Sequence, residues 1–229
     1  KDQFKKIQII LKDIHFNINY EKKIGVSFAR NSVLKFLSNK KFRYGCFLDD
    51  DCFIKKNFLI SHLNFIKKHN CEIVGGPQIY DSQNSLFKIF ERKIAHSADV
   101  NWVSTNNVFF KKEILKKKIK FSNDVSRYGY GEDQLYFNQL SNIGLKIKWN
   151  VNPVFENVSK KMDNILWFCK RNFNYGLTGV LIDMKIYKRL IFLFVCLIKM
   201  NFYLLKSFFY FLLIPFNPKT YFYFSFGFL

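Results

Sequence analysis

Cysteine and histidine are scarce and carry no pattern. Cys46, Cys52, Cys71, Cys169 and Cys196 form an odd set with no C-x-x-C spacing, so neither a zinc site nor a disulfide framework is indicated, and a reducing compartment fits. His15, His62, His69 and His96 are scattered, mostly beside Lys, Ser or Asn, and read as surface or loop residues rather than catalytic ones. No secretory signal peptide opens the chain, no internal repeat recurs and no low-complexity linker divides it. Acidic residues are also few, 17 against 37 Lys and Arg, for a net charge of +20. Such an excess raises nucleic acid, anionic membrane or phosphorylated ligands as partners. Lys, Ile, Asn and Phe abound together, as an A/T-rich coding sequence produces, so part of the charge reflects mutational bias. Six lysines fall between Lys111 and Lys120 without interleaved aromatics, which leaves no stacking platform of the kind single-strand binders use. Nucleic acid is therefore not an expected partner, and that segment reads as a charged surface helix.

What is present is organised around Tyr44-Gly-Cys-Phe-Leu-Asp-Asp-Asp-Cys52. A short apolar run of strand length ends in Asp49, Asp50 and Asp51, and three carboxylates at one strand tip demand a cation. Hard ions such as Mg²⁺ or Mn²⁺ take oxygen ligands, and ligands of open α/β sheets sit beyond the carboxyl ends of the strands. Asp49 and Asp51 point to the same side if the strand persists.

Around that run, Ile14, Phe16, Ile18 and Tyr20 alternate as a strand would, and Val26, Ala29, Val33 and Leu37 recur at helical spacing over Val26–Ser38. Arg30 and Asn31 lie in the first turns of that helix, where a phosphate can meet free backbone N–H groups. A helix is predicted within 53–69, then a strand over Cys71–Val74 stopped by Gly75-Gly76-Pro77, where the glycines either allow a ligand close to the backbone or merely turn the chain. Residues 78–100 read as irregular and Asn101–Phe110 as an inner strand with polar members facing a site. Gly129 and Gly131 feed a helix over Glu132–Ile143. Its first-turn acids Glu132 and Asp133 complement the helix dipole and, beside an upstream carboxylate cluster, become candidates for a general base. Leu145–Val151 alternates as a strand, Glu156 follows with no assigned role, and a further helix begins after Lys160.

Leu190–Ile214 is mostly apolar and aromatic, preceded by Lys185, Lys188 and Arg189. As one helix it would run about 37 Å, a length that could cross a bilayer. Lys199, Tyr203, Lys206 and Tyr210 form one polar stripe, so the prediction is a helix lying in the membrane interface with lysines reaching anionic headgroups. A membrane-spanning hairpin and a buried core helix are the alternatives. The chain is short for two full domains. The expected division is a catalytic domain over residues 1–180 and a hydrophobic helical tail over 181–229.

Taken in order, Gly25-Val-Ser-Phe-Ala-Arg-Asn31, Phe47-Leu-Asp-Asp-Asp51, Val74-Gly-Gly-Pro77, Ser104-Thr-Asn-Asn-Val108, Gly131-Glu-Asp133 and the Arg171 to Gly176 stretch resemble the family 2 glycosyltransferases. The resemblance implies an α/β, GT-A-like (Rossmann-related) mixed sheet flanked by helices, and a metal-dependent inverting enzyme that moves sugar from a nucleotide-sugar donor to a hydroxyl of a glycan or lipid-linked acceptor. It implies Mg²⁺ or Mn²⁺ on Asp51 and Asp49, and donor contacts from Arg30, Asp49, Asp50, Gly75 and Gly76. Asp133 would be the base, with Glu132 assisting, and Trp102, Asn107 and Arg171 would meet the acceptor. Family members begin with two nucleobase-binding strands whose motifs this sequence lacks. Since residue 1 is Lys, the sequence is expected to be a piece of a longer product. The expected location is the cytoplasmic face of the cell membrane, in cell-envelope polysaccharide synthesis. The other readings open at this point are a non-catalytic basic protein that binds nucleic acid or membrane, and a metal-dependent phosphoryl-transfer enzyme using the same carboxylates.

Overall fold

A computed structural model of the chain describes residues 17–81, 91–158 and 165–213. In chain order the elements are α1 (Val26–Ser38), β1 (Tyr44–Phe47), β2 (Cys52–Ile54), α2 (Phe58–Lys68), β3 (Ile73–Gly75), β4 (Gln78–Asp81), β5 (Val108–Lys111), α3 (Asn123–Ser126), α4 (Glu132–Asn142), β6 (Ile147–Trp149), β7 (Val154–Asn157), α5 (Ile165–Ile186) and α6 (Arg189–Leu213). The strands make two mixed sheets, one ordered β1-β5-β3-β6 and the other β2-β7-β4. In the larger, β5 runs antiparallel to β1 and β3, while β6 is parallel to β3. In the smaller, β7 pairs antiparallel with β2 and parallel with β4.

Side-chain alternation on the larger sheet creates two apolar layers. Ile73 of β3 and Phe110 of β5 enter one core with Phe121, Phe137 and Trp149, against α4. Their neighbours Val74 and Phe109 enter the other, with Phe65 and Ile66 of α2. The sheet is therefore covered on both faces. Three connections, Leu48–Asp51, Gly76–Pro77 and Asn150–Pro153, each carry the chain from the larger sheet to the smaller. The last two meet at one seam. There Asn150 N–H donates to the Gly75 carbonyl (2.8 Å) and Val154 N–H to that of Pro77 (3.1 Å). A Cβ on Gly76 would fall 2.6 Å from the Asn152 carbonyl oxygen and 2.8 Å from that of Asn150, so only glycine lets these loops close.

Several expectations are corrected. Residues 17–20 form no strand and Tyr20 is 87% exposed, because no neighbour pairs with that alternation; Ile14 and Phe16 lie outside the described residues. The helical phase of α1 is rotated from the apolar reading: Ser27, Arg30, Asn31 and Leu34 face inward while Val26 and Val33 are exposed. The inward polar groups are satisfied, Ser27 by the Ser122 carbonyl and Asn31 by both the N–H and the carbonyl of Phe121. Residues 78–81 are a strand, not irregular, and β7 is a strand that the sequence did not single out. Thr105–Asn107 turn as a 3₁₀ segment before β5, so the polar members of 101–110 do not lie on a strand. Lys112–Lys117 is likewise 3₁₀, ended by Lys118 in the left-handed region. His62, expected at the surface, is fully buried on α2, where Nε2 meets Asn107 Oδ1 (2.9 Å) and Nδ1 meets Asn150 Nδ2 (2.8 Å).

The tail is helical over α6, which folds back along α5 far enough for Lys199 to pair with the largely buried carboxylate of Asp183. Lys199 is thus held by protein rather than reaching outward. Among the described residues, no helix is long and apolar enough to cross a membrane.

Candidate active site

Arg30, projecting from α1, joins two carboxylates brought from distant parts of the chain. It forms an ion pair with Glu132, 5% exposed, at the start of α4, and its Nη2 lies 3.6 Å from Asp49 Oδ1. Gly131, with φ +88°, turns the chain into α4 at this point and so fixes where Glu132 and Asp133 emerge. Asp133 Oδ1 accepts the N–H of Gln134 at 2.7 Å. Burial and the adjacent charge of Glu132 push the Asp133 carboxyl up to about 6, with Arg30 opposing the rise. Burial also raises Asp49, again against the pull of Arg30.

A second group forms where β2 pairs with β7. One ligand atom each of Asp51, Cys52 and Glu156 lies within 4.8 Å of the others. Burial and the charge of Asp51 raise Glu156 to about 7, and its carboxylate accepts from Gln78 and, at 3.4 Å, from Asn106. Burial and the nearby carboxylates push the Cys52 thiol to about 12. A carboxyl that resists ionisation because another carboxylate stands beside it is what a divalent cation relieves, and oxygen ligands suit Mg²⁺ or Mn²⁺. The donor set fits such an ion.

Both groups border one cavity of about 640 Å³. Its wall includes Arg30, Asp49, Glu132, Asp133 and Glu156, then turns aromatic. The Arg171 guanidinium lies 5.1 Å from the Tyr130 ring, 4.9 Å from Trp167 and 5.4 Å from Tyr175, whose hydroxyl it meets at 3.1 Å. Arg92 stacks between Trp102 (3.9 Å) and Trp149 (4.8 Å).

The cavity wall thus brings together Asp133, Glu132, Arg30, Asp49, Gly76, Trp102 and Arg171. Asp51 is not on that wall and is tied to it only through Glu156, whose ligand atom lies within 4.8 Å of its own. Asp50, Gly75 and Asn107 are not on that wall. Gly75 is buried in β3, where an added Cβ would sit 2.2 Å from Val103 Cγ1. Asn107, expected to meet an acceptor, instead pins the seam: its amide donates to the carbonyls of Pro77 (2.9 Å) and Asn152 (3.1 Å) and its oxygen meets His62. Glu156, Arg92, Tyr130 and Trp167 line the cavity without having been assigned a part from sequence. For Glu156 the β-prone pair Val154-Phe155 just after Pro153 was the available signal; Arg92 follows residues with no readable periodicity.

A sequence model described as glycosyl transferase family 2 matches residues 2–134. No curated protein matches the chain. Among solved structures, that of S. aureus TarS aligns with a TM-score of 0.53 at 16% identity, over 81% of this chain and 32% of that one. S. aureus TarS 1-349 in complex with UDP-GlcNAc aligns with a TM-score of 0.52 at 13% identity, over 80% of this chain and 54% of that one. The same segment in complex with UDP gives 0.51 at 15% identity, over 80% and 53%. This chain spans about a third to a half of the length of these structures. At such identities the likeness is one of fold: a GT-A-like α/β arrangement of mixed sheets flanked by helices.

Proposed function

Because the chain belongs to glycosyl transferase family 2, we propose that it transfers a sugar from a nucleotide-sugar donor to an acceptor hydroxyl with inversion at the anomeric carbon. The observation that carries this reading is the single cavity that has Asp133 on its wall and, through Glu156, the Asp51 group at its margin. The donor class is supported by the UDP and UDP-GlcNAc complexes of TarS, whose fold the chain shares.

Asp51 and Glu156, with Cys52 beside them, would hold Mg²⁺ or Mn²⁺, which when bound offsets the negative charge gathering on the departing nucleoside diphosphate. Asp133 takes the proton of the acceptor hydroxyl, whose oxygen bonds to the anomeric carbon as the bond from that carbon to the diphosphate oxygen breaks on the opposite face. A carboxyl held near 6 is ionised at neutral pH yet remains basic enough to accept that proton. Glu132, anchored by Arg30, stands beside the base. Asp49 and Gly76 face the donor, while Trp102 and Arg171 face the acceptor across the same cavity, and holding both in line supplies a proximity advantage of roughly several kcal/mol.

The acceptor reading extends to a glycan or lipid-linked molecule at a membrane. The exposed apolar residues of α6, among them Phe194, Phe202, Leu205 and Phe208, with Lys188 and Arg189 at its start, suit an anionic lipid surface. Incubation with labelled sugar-nucleotides tests the reaction. Release of nucleoside diphosphate that requires added Mn²⁺ or Mg²⁺ is expected; phosphodiester cleavage, or no turnover of any sugar-nucleotide by the full chain, overturns it.

A further inference from the structure

Arg92 differs from the other arginine beside the base. Arg30 directs its charge to Glu132 and Asp49, whereas Arg92 has no carboxylate within ion-pair distance among the described residues. Its guanidinium is held face-on by Trp102 and Trp149, and Nη1 donates to the Trp102 carbonyl at 3.1 Å. The rest of its donor fork has no acceptor among the described residues. Trp149 shares the cavity wall, and its indole N–H is buried without an acceptor there too. Burial draws the Arg92 guanidinium down to about 10, with the charge of Asp133 acting in the other direction. A desolvated cation left without an anion is unfavourable. Two indoles nonetheless pack on the guanidinium, whose planar fork suits bidentate recognition of a carboxylate or phosphate.

Position along the cavity says which substrate supplies that anion. Arg92 donates to the Trp102 carbonyl, and Ser104, two residues further on, hydrogen-bonds the Asp133 carboxyl, whereas Glu156 stands with Asp51 where β2 pairs with β7. Arg92 therefore stands at the base's end, and the cation-holding carboxylates stand at the other. We propose that the acceptor carries an anionic group, a phosphate or a carboxylate, close to its reacting hydroxyl, and that Arg92 receives it. This rests on the reading of Asp133 as the base facing the acceptor.

The test compares three probes with one carbon skeleton, glycerol, D-glycerate and sn-glycerol 3-phosphate, titrated into the full chain by calorimetry with and without UDP and Mn²⁺. At least one anion should bind about tenfold or more tightly than glycerol, and which one does separates carboxylate from phosphate. Arg92→Gln should remove that preference and leave the affinity for UDP unchanged, while Arg92→Lys, which keeps the charge but loses the planar fork, should retain part of it. The wild-type preference should also weaken with added salt, a result that needs no variant to fold. Equal binding of all three probes, a preference insensitive to salt, or one that survives Arg92→Gln overturns the proposal. Loss of UDP affinity in Arg92→Gln would also overturn it, by moving the residue to the donor. Failure of the wild-type chain to bind UDP at all would instead count against the nucleotide-sugar reading, and the probe preference measured without UDP keeps the two failures apart.

Discussion

Arg30 and Glu132, 102 residues apart in sequence, form a largely buried ion pair that ties α1 to the first turn of α4. The pair fixes the mouth of the helix that carries Asp133. Removing one partner leaves an uncompensated buried charge, which costs about 3–5 kcal/mol, whereas replacing both with apolar groups is often close to neutral. Arg30→Met should therefore lower the urea midpoint sharply, and Arg30→Met with Glu132→Leu should recover most of the loss. Equal destabilisation in the single and double variants would show that the pair is not what holds this junction.

Asp133 gives a pH signature of its own. As the proposed base its carboxyl, raised to about 6, would have to be ionised to accept a proton, so turnover should rise through about pH 6 and level off above it. Asp133→Asn should abolish transfer while retaining donor affinity. Stability should move the other way. The folded value exceeds the unfolded one near 3.9, so the folded state holds its proton longer, and this group's contribution falls as pH rises from about 4 to 6. Asp133→Asn should thus raise Tm at pH 8 but not at pH 4.

If Asp51 and Glu156 share a cation, chelation with EDTA should stop nucleoside diphosphate release and Mn²⁺ should restore it. Glu156→Gln should raise the metal concentration needed for half-maximal activity by about tenfold or more. Asp51→Asn should do at least as much. Cys52→Ser, which keeps the carboxylates, should leave Mg²⁺ or Mn²⁺ activation largely intact. An unchanged metal requirement in Glu156→Gln would separate that residue from the cation.

His62 stays neutral because burial holds its imidazole below the usual range, with Asn107 and Asn150 using both ring nitrogens. The unfolded chain takes up a proton near pH 6.5 that the folded chain resists, so stability is lost as pH falls below that value. Denaturation midpoints measured from pH 5 to 8 should show this slope, and His62→Gln should flatten it. Asn107→Ala, which strands His62 and the carbonyls of Pro77 and Asn152, should cost about 1–3 kcal/mol.

Truncation after Lys188 removes α6 with its exposed apolar side chains. The shortened chain should no longer sediment with vesicles containing anionic lipid, and the full chain should. Continued sedimentation of the truncated protein would place the contact elsewhere.

The α/β order and the helices carrying Arg30 and Asp133 were legible because Val26–Ser38 and Glu132–Asn142 are long enough for periodicity and for their flanking glycines to speak. The rotated phase of α1 was not. Ser27 and Asn31 turn inward to partners about 90 residues away, which no local pattern records. Short strands were lost for a similar reason: β4 and β7 are four residues each and stabilise one another, so neither is persuasive alone. His62 looked like a surface residue because it stands beside Ser61, although α2 faces it toward Phe58 and Phe109. Of the site, the carboxylates declared themselves by crowding. Arg92 declared itself only through the tryptophans that the fold lays against it.

The seam between the two sheets has a mechanical corollary. Asp51 and Glu156 travel with β2 and β7, whereas Asp133 is bolted to α4 over the larger sheet. Any sliding of the small sheet would carry both carboxylates proposed to hold the cation together and leave the proposed base behind. Separation between leaving group and incoming oxygen is thereby reduced to one coordinate, set by the lengths of three short crossings. Lengthening any one of them by a residue should detune the reaction without touching a single reacting side chain.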